Sequence, residues 1–289
     1  MGVGEGCQLH LEQDAKLKRM IVLGASSFSL LWGFVAAMAY TLGALFGGRL
    51  SPAQSRHYLW VISLFHGLSV IATLVPAPDE AAHFGFAPAL SATTWLVLLV
   101  YTAEHHWFPQ MRTRWILSAI GLVTVLLPLV YPGQVLHSSA SAWLPLHWLL
   151  GLASYAMFAA AVVHASLMSR AERQMRLAAS DPTGLPLLTL ERLTFHFVHL
   201  GFFLLSATLI AGWWFGEQLY GPDKAMRWDH KTVLSVMAWL VFLLLLWGRH
   251  ARGWRGPLAV RTLYIGSAML LLAYAGSRFV MEVLLQRAL

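Results

Sequence analysis

Eight predominantly apolar runs alternate with short polar connections along the chain, at roughly 21–46, 57–76, 89–108, 115–132, 145–169, 195–216, 230–248 and 262–284. Each comes close to the about 20 apolar residues that a helix needs to cross a bilayer. The pattern therefore predicts an all-α fold, a polytopic transmembrane helix bundle of about eight spans with short loops. Pro76, Pro78, Pro109, Pro132, Pro145 and the Gly221-Pro222 pair mark the run ends, where helices stop. The longest connections are expected at about 170–194 and 217–229. Residues 1–20 read as a polar N-terminal segment, and 21–289 as a single transmembrane helical domain. No internal repeat or low-complexity tract interrupts it.

Composition agrees with the pattern: 58% of residues are hydrophobic and 11% charged, against about 25% charged in soluble domains. The formal net charge of +7 would suit nucleic acid, but the basic residues sit in loops between apolar runs. Loop charge in a membrane protein accounts for them, and no nucleic-acid partner is expected. Under eight spans, the odd loops carry twelve Lys and Arg, from Arg49 to Arg261. The opposite side carries seven: Lys16, Lys18, Arg19, Lys224, Arg227, Lys231 and Arg287. The positive-inside bias then puts both termini on the outer, periplasmic side. The single cysteine, Cys7, allows no internal disulfide, and no C-x-x-C-H sequence is present to attach haem covalently. The first apolar run is too long for a signal peptide, and no small-residue cleavage site follows it.

The polar connection before the seventh run is unusually rich in tryptophan. Between Gly212 and Trp239 lie Trp213, Trp214, Trp228 and Trp239, with Asp229, His230 and Lys231 among them. Such a concentration serves either as an interfacial anchor or as a surface for a flat, charged ligand. Twelve of the thirteen histidines sort by depth. His83, His137, His147 and His230 fall towards the expected outer side. His57, His105, His106, His164, His196, His199 and His250 fall towards the inner side. His66 alone is near the middle of a span, where an ionisable group is costly and points to function. At span ends, imidazole is cheap and needs no ligand to explain it. His147 and His164 are seventeen residues apart on one helix, about 25 Å at 1.5 Å per residue, so they serve different sides. His196 and His199 share a face, without the three or four convergent ligands of a catalytic or structural metal site. Arg278, within the last span, requires an anion. Glu282 and a ligand carboxylate are the two candidates. No phosphate-cradling loop, nucleophile elbow or catalytic triad is present, and no catalytic residue is assigned.

Four pieces carry a family resemblance: LHWLLGLASYAMFAAAVVHASLMSRAERQMR (146–176), LPLLTLERLTFHFVHLGF (185–202), HKTVLSVMAWLVFLLLLWGRHARGWRG (230–256) and LAYAGSRFV (272–280). LFHGL (64–68) and VLHSSAS (135–141) fit more loosely. Together they resemble the membrane family of cytochrome c assembly proteins, and within it the small bacterial inner-membrane members of YpjD and HemX type. The resemblance implies a bundle that binds b-type haem non-covalently through histidines and takes part in cytochrome biogenesis, alongside other biogenesis proteins, in a bacterial inner membrane. In larger members, haem lies against an outward-facing loop of the pattern W-G-x-x-W-x-W-D-P-K-E. Trp228 and Asp229 match its last Trp-Asp, Lys231 its lysine, and Trp239 the tryptophan beyond. His147 matches the histidine that opens the preceding outer-to-inner span, and His66 a histidine within the membrane. His230 stands in place of the proline and Thr232 in place of the glutamate.

Haem, a flat apolar ring with two carboxylates and an iron, wants aromatic faces, axial imidazoles and cations. The chain offers Trp143, Trp228 and Trp239, then His66, His137, His147 and His230, then Arg227, Lys231 and Arg278. His66 and His147 are the candidates for the iron. Two functions follow: an accessory haem-handling protein of cytochrome c biogenesis without turnover of its own, or a haem-dependent electron-transfer protein with sites on both sides. The second would use His164, His196 or His199 on the inner side. A transporter would want inverted repeats or broken helices at the midplane, which the pattern lacks.

Overall fold

The computed structural model describes residues 27–74, 83–108, 116–135, 144–177, 185–214 and 229–280. Within them the chain forms eight successive crossing helices: α1 (Ser27–Phe46), α2 (Pro52–Leu74), α3 (Phe86–Trp107), α4 (Ile116–Val130), α5 (Leu144–Arg176), α6 (Leu187–Trp214), α7 (His230–Arg252) and α8 (Gly256–Leu271). α8 continues through a π-helical turn, Leu272–Gly276, into Ser277–Phe279. Seven of these helices are long and apolar enough to cross a membrane, and α4 is a shorter apolar helix. A two-residue antiparallel ladder pairs β1 (His83–Phe84) with β2 (Gln134–Val135), His83 opposite Val135 and Phe84 opposite Gln134. The expected polar segment at 1–20 lies outside the described residues.

The helix ends depart from expectation in one informative place. The connection expected at 170–194 is largely helical, because α5 runs on to Arg176 and α6 begins at Leu187. At 33 residues, α5 is about 50 Å long, well beyond an apolar slab of about 30 Å. Its last turns carry Arg170, Arg173 and Arg176 out of the apolar zone, so hydropathy alone ended the helix too soon.

Lipid tails are as apolar as leucine, so helices in a membrane associate through close packing and hydrogen bonds. Both are visible here. In the second half, the rings of Phe158 on α5 and Phe242 on α7 stack at 3.7 Å, 6° from parallel. Phe158 also sits against Gly201 of α6, and Phe242 against Gly266 of α8. In the first half, Tyr40 of α1 lies over Gly121 of α4. Its hydroxyl reaches His66 Nδ1 on α2 at 2.7 Å, and His66 Nε2 reaches Ser91 Oγ on α3 at 3.0 Å. Trp95 Nε1 donates to the Ser63 carbonyl at 2.8 Å, tying α3 to α2.

At the end where α6 begins and α7 finishes, Arg249 donates to Glu191 at 2.7 Å and lies 3.6 Å over the Phe195 ring. Gly253 ends α7 in the left-handed region, φ 65°, the ordinary helix C-terminal glycine.

A methyl group at Gly121 would overlap the Tyr40 ring. Gly121→Ala should displace that ring, strain its bond to His66 and cost about 1–3 kcal/mol, read as a lower melting temperature of the protein in nanodiscs.

Candidate functional site

The two ends of the bundle differ in chemistry. One end gathers the starts of α3, α5 and α7 and the finish of α4, α6 and α8. Here the short β1–β2 ladder carries Phe84 inward. Its ring stacks on Trp148 of α5 at 4.2 Å and lies 6.2 Å from Tyr274 of the π-helical turn. Phe86 meets Tyr131 and Phe279, each at 5.5 Å. Tyr274 in turn lies 5.9 Å from the Arg278 guanidinium. An aromatic floor thus joins the start of α5 to the end of α8.

The π-helical turn sets the direction of that last segment. A π-turn shifts the backbone ladder by one residue and changes which carbonyls are bonded locally. The Tyr155 hydroxyl, on α5, donates to the Leu270 carbonyl at 2.6 Å, and Ser277 Oγ donates to the Ala273 and Tyr274 carbonyls. These side chains supply backbone partners that a membrane interior cannot leave unmade.

Arg278 and Lys231, far apart in the sequence, act on each other electrostatically. Lys231 stands at the start of α7, and the positive charge of Arg278 and the negative charge of Asp229 both act on it. Glu282, the alternative partner for Arg278, lies outside the described residues.

Asp229 has a structural task. It is the N-cap of α7: its Oδ1 accepts from the Thr232 N–H at 2.9 Å and from the Thr232 hydroxyl at 3.0 Å. Partial burial acts to raise the Asp229 carboxyl. The two bonds from Thr232 and the charges of Lys231 and His230 outweigh this, and hold it below the usual carboxylate range. His230, next in the chain, is exposed.

His147 lies on the first turn of α5, half-buried. The Thr208 backbone acts on its ring, a polar backbone partner of the kind that orients metal-ligating imidazoles. A Cβ at Gly212 would come within 3.3 Å of His147 Cε1, so α6 offers the ring a notch with no side chain.

Other expected residues are placed elsewhere. His66 is fully buried with both ring nitrogens bonded to protein, so ligating iron there requires breaking the Tyr40 or Ser91 link. Trp239 sits nine residues into α7, about 14 Å from its first residue. It stacks on Phe202 at 5.4 Å and donates to Ser206 at 2.8 Å, which closes the α6–α7 seam. Trp213 and Trp214 are 75% and 79% exposed at the end of α6, as an interfacial belt requires. Trp228, His137, Trp143 and Arg227 lie outside the described residues. On the other side, His164 and His199 each turn Nδ1 to a carbonyl of their own helix, Ala160 at 2.8 Å and Phe195 at 2.6 Å. Among the described residues, no group of three His, Cys, Asp or Glu side chains is placed to hold a metal ion.

Sequence reading missed Phe84, Trp148, Tyr155 and Tyr274. Phe84 and Trp148 show in the sequence only as aromatics near a run end, which any interfacial residue shares, and Tyr155 and Tyr274 only as aromatics inside a run.

Architecture and site together define a polytopic membrane protein with a polar, cationic and aromatic end built from α3, α5, α7 and α8. The chain belongs to the cytochrome c assembly protein family, whose model matches residues 54–285. It is 29% identical over 227 residues to the inner membrane protein YpjD of Escherichia coli K12, covering 76% of this chain and 83% of that one. It is 30% identical over 216 residues to an uncharacterised 28.8 kDa protein of Azospirillum brasilense, covering 70% and 77%. A shorter match, 29% over 94 residues, is to the cytochrome c biogenesis protein CcsA of Gloeobacter violaceus, covering 32% of this chain and 27% of that protein. No solved structure matches.

Replacing the cap should show as pH-dependent stability. The Asp229 carboxyl is held low when folded, so its capping contribution is present at neutral pH and is lost as the pH falls through that lowered value. Asp229→Ala should cost about 1 kcal/mol at neutral pH and flatten this acid limb of the melting curve, whereas Asp229→Asn should keep most of the neutral-pH stability and also flatten the limb.

Proposed function

We propose that this chain binds b-type haem non-covalently at the end where α5 and α7 begin. It acts there as an accessory haem-handling protein of cytochrome c biogenesis in a bacterial inner membrane, with no turnover of its own. His147 would hold the iron, and Lys231 and Arg278 would offset the propionates. The observation that carries this reading is the electrostatic coupling of Lys231 to Arg278 at the end of the bundle that also holds His147 and the Trp148–Phe84–Tyr274 aromatic floor. Cations, an oriented imidazole and flat apolar faces are the set that haem chemistry asks for. Bound haem would supply an iron able to change oxidation state. The protein's own part is to hold the ring, fix the imidazole through Thr208 and offset the carboxylates.

Three further points support the reading. The family's name is cytochrome c assembly, one relative is a cytochrome c biogenesis protein, and another is an inner membrane protein. The loop-charge bias puts this end outside the cytoplasm, with both termini. An electron-transfer protein with haem on both sides needs an inner ligand, and both ring nitrogens of His164 are turned to protein, Ala160 and Glu104. Other biogenesis proteins are the partners this role implies.

The test is the absorption spectrum of the purified protein after expression with ample haem. One haem per chain, with a Soret band, is expected. His147→Ala should abolish the band, while His196→Ala should leave it. A charge-assisted hydrogen bond contributes about 1.5–3 kcal/mol, so Lys231→Met should weaken haem retention about tenfold to hundredfold. Absence of a Soret band from the folded wild-type protein rejects the reading.

A further inference from the structure

Two ionisable side chains are buried away from the haem candidates. Glu104, on the last turn of α3, is 3% exposed, and His164, on α5, is 2% exposed. His164 Nε2 faces Glu104 Oε1 at 3.2 Å. The other ring nitrogen, Nδ1, meets the Ala160 carbonyl at 2.8 Å. A carbonyl only accepts, so Nδ1 carries a hydrogen. Two lone pairs at this distance repel each other in an apolar interior, so the buried pair holds a further proton. Whether it resides on nitrogen or oxygen, the pair is neutral overall, the least costly state for buried partners.

Both carboxyl oxygens and His164 Nε2 are buried without a hydrogen bond of good geometry among the described residues, so the Nε2–Oε1 approach is an ion-pair contact. The pair borders a narrow cleft between α3, α4 and α5, walled by Val97, Val100, Tyr101, Leu117, Ala160 and Val163. That cleft has room for little more than a water molecule. The neighbouring groups bring no second acid. From α3 come Tyr101 and His105, and from α2 the charge of Arg56, which acts on His105. From α6 comes the Phe197 ring, 5.3 Å from the imidazole. From α4 comes Leu117, and the next charge along α5 is Arg170, which acts on Tyr264 of α8.

We propose that Glu104 and His164 form a proton-binding site, filled from the aqueous phase nearest the end of α3, which holds α3 against α5 while the proton is bound. A hydronium in the cleft gives its proton to the pair and leaves as water. When the proton departs at alkaline pH, the Glu104 carboxylate faces an imidazole lone pair and the seam carries an unpaired negative charge. The contact between the first four helices and the last four then loosens. The site is independent of haem and stands or falls without it.

Infrared difference spectroscopy of the full chain in nanodiscs, followed from acid to alkaline pH alongside thermal unfolding, tests the proposal. The wild type should show a buried carboxyl signal that changes with pH and shifts in heavy water. Its melting temperature should fall by a few degrees at the alkaline end. Glu104→Gln keeps the contact, because the amide N–H donates to Nε2, and should abolish both the signal and the alkaline loss. His164→Gln removes the base and should abolish the pH-dependent change in the carboxyl signal. Glu104→Gln spectra and melting curves superimposable on the wild type would overturn the proposal, as would a folded His164→Gln protein that keeps that change. Should His164→Gln fail to fold, the Glu104→Gln comparison decides alone.

Discussion

The stacked rings of Phe158 and Phe242 are the contact on which the second half of the bundle depends. Each ring fills a notch at a glycine on a third helix, Gly201 on α6 and Gly266 on α8. One aromatic pair thereby fixes four helices at their middle. In lipid there is no water to expel from a helix seam, so close shape-fitting of this kind replaces the hydrophobic drive of a soluble core. Because α5 to α8 are held at mid-depth, their ends are determined too. His147, at the start of α5, is thereby set against Gly212 near the end of α6, and Lys231, at the start of α7, within the field of Arg278 at the end of α8.

Buried hydrogen bonds complete the assembly where rings do not reach. Tyr40, His66 and Ser91 join α1, α2 and α3, Trp239 and Ser206 join α7 and α6, and Tyr155 ties α5 to the Leu270 carbonyl. The last of these matters for the site. A straight continuation of α8 would point Arg278 along a different bearing; the π-turn at Leu272–Gly276 rotates it, and Tyr155 supplies the partner that the altered ladder needs. Stability and site geometry therefore share residues, and a histidine in mid-membrane such as His66 can be a structural fastener.

Hydropathy made the spans legible because a bilayer imposes length and apolarity on each helix independently. It ended α5 early because Arg170, Arg173 and Arg176 are polar but still helical. Lys231 was readable as a cation at a span end and Arg278 as one within the last span. Their meeting was not, since it depends on how α7 and α8 cross. The Glu104–His164 pair was hidden for the same reason: His164 looked like a span-end imidazole, and only the packing of α3 on α5 gives it a carboxylate.

The Trp-Asp loop pattern takes on a plainer meaning in this light. Asp followed by Pro, Lys and Glu is the signature of a helix start, with Asp as N-cap, proline at the first position and glutamate at the third. In this chain His230 and Thr232 stand at those two positions, and the start survives: Asp229 caps α7 and Thr232 returns both its N–H and its hydroxyl to the same oxygen. The departures from the pattern thus conserve a fold task. Asp229 is engaged in that task, which leaves Lys231, under the like charge of Arg278, as the group that the proposed ligand would meet at the start of α7. Trp228, the capping Asp229 and Lys231 are the parts of the loop pattern that stand unchanged.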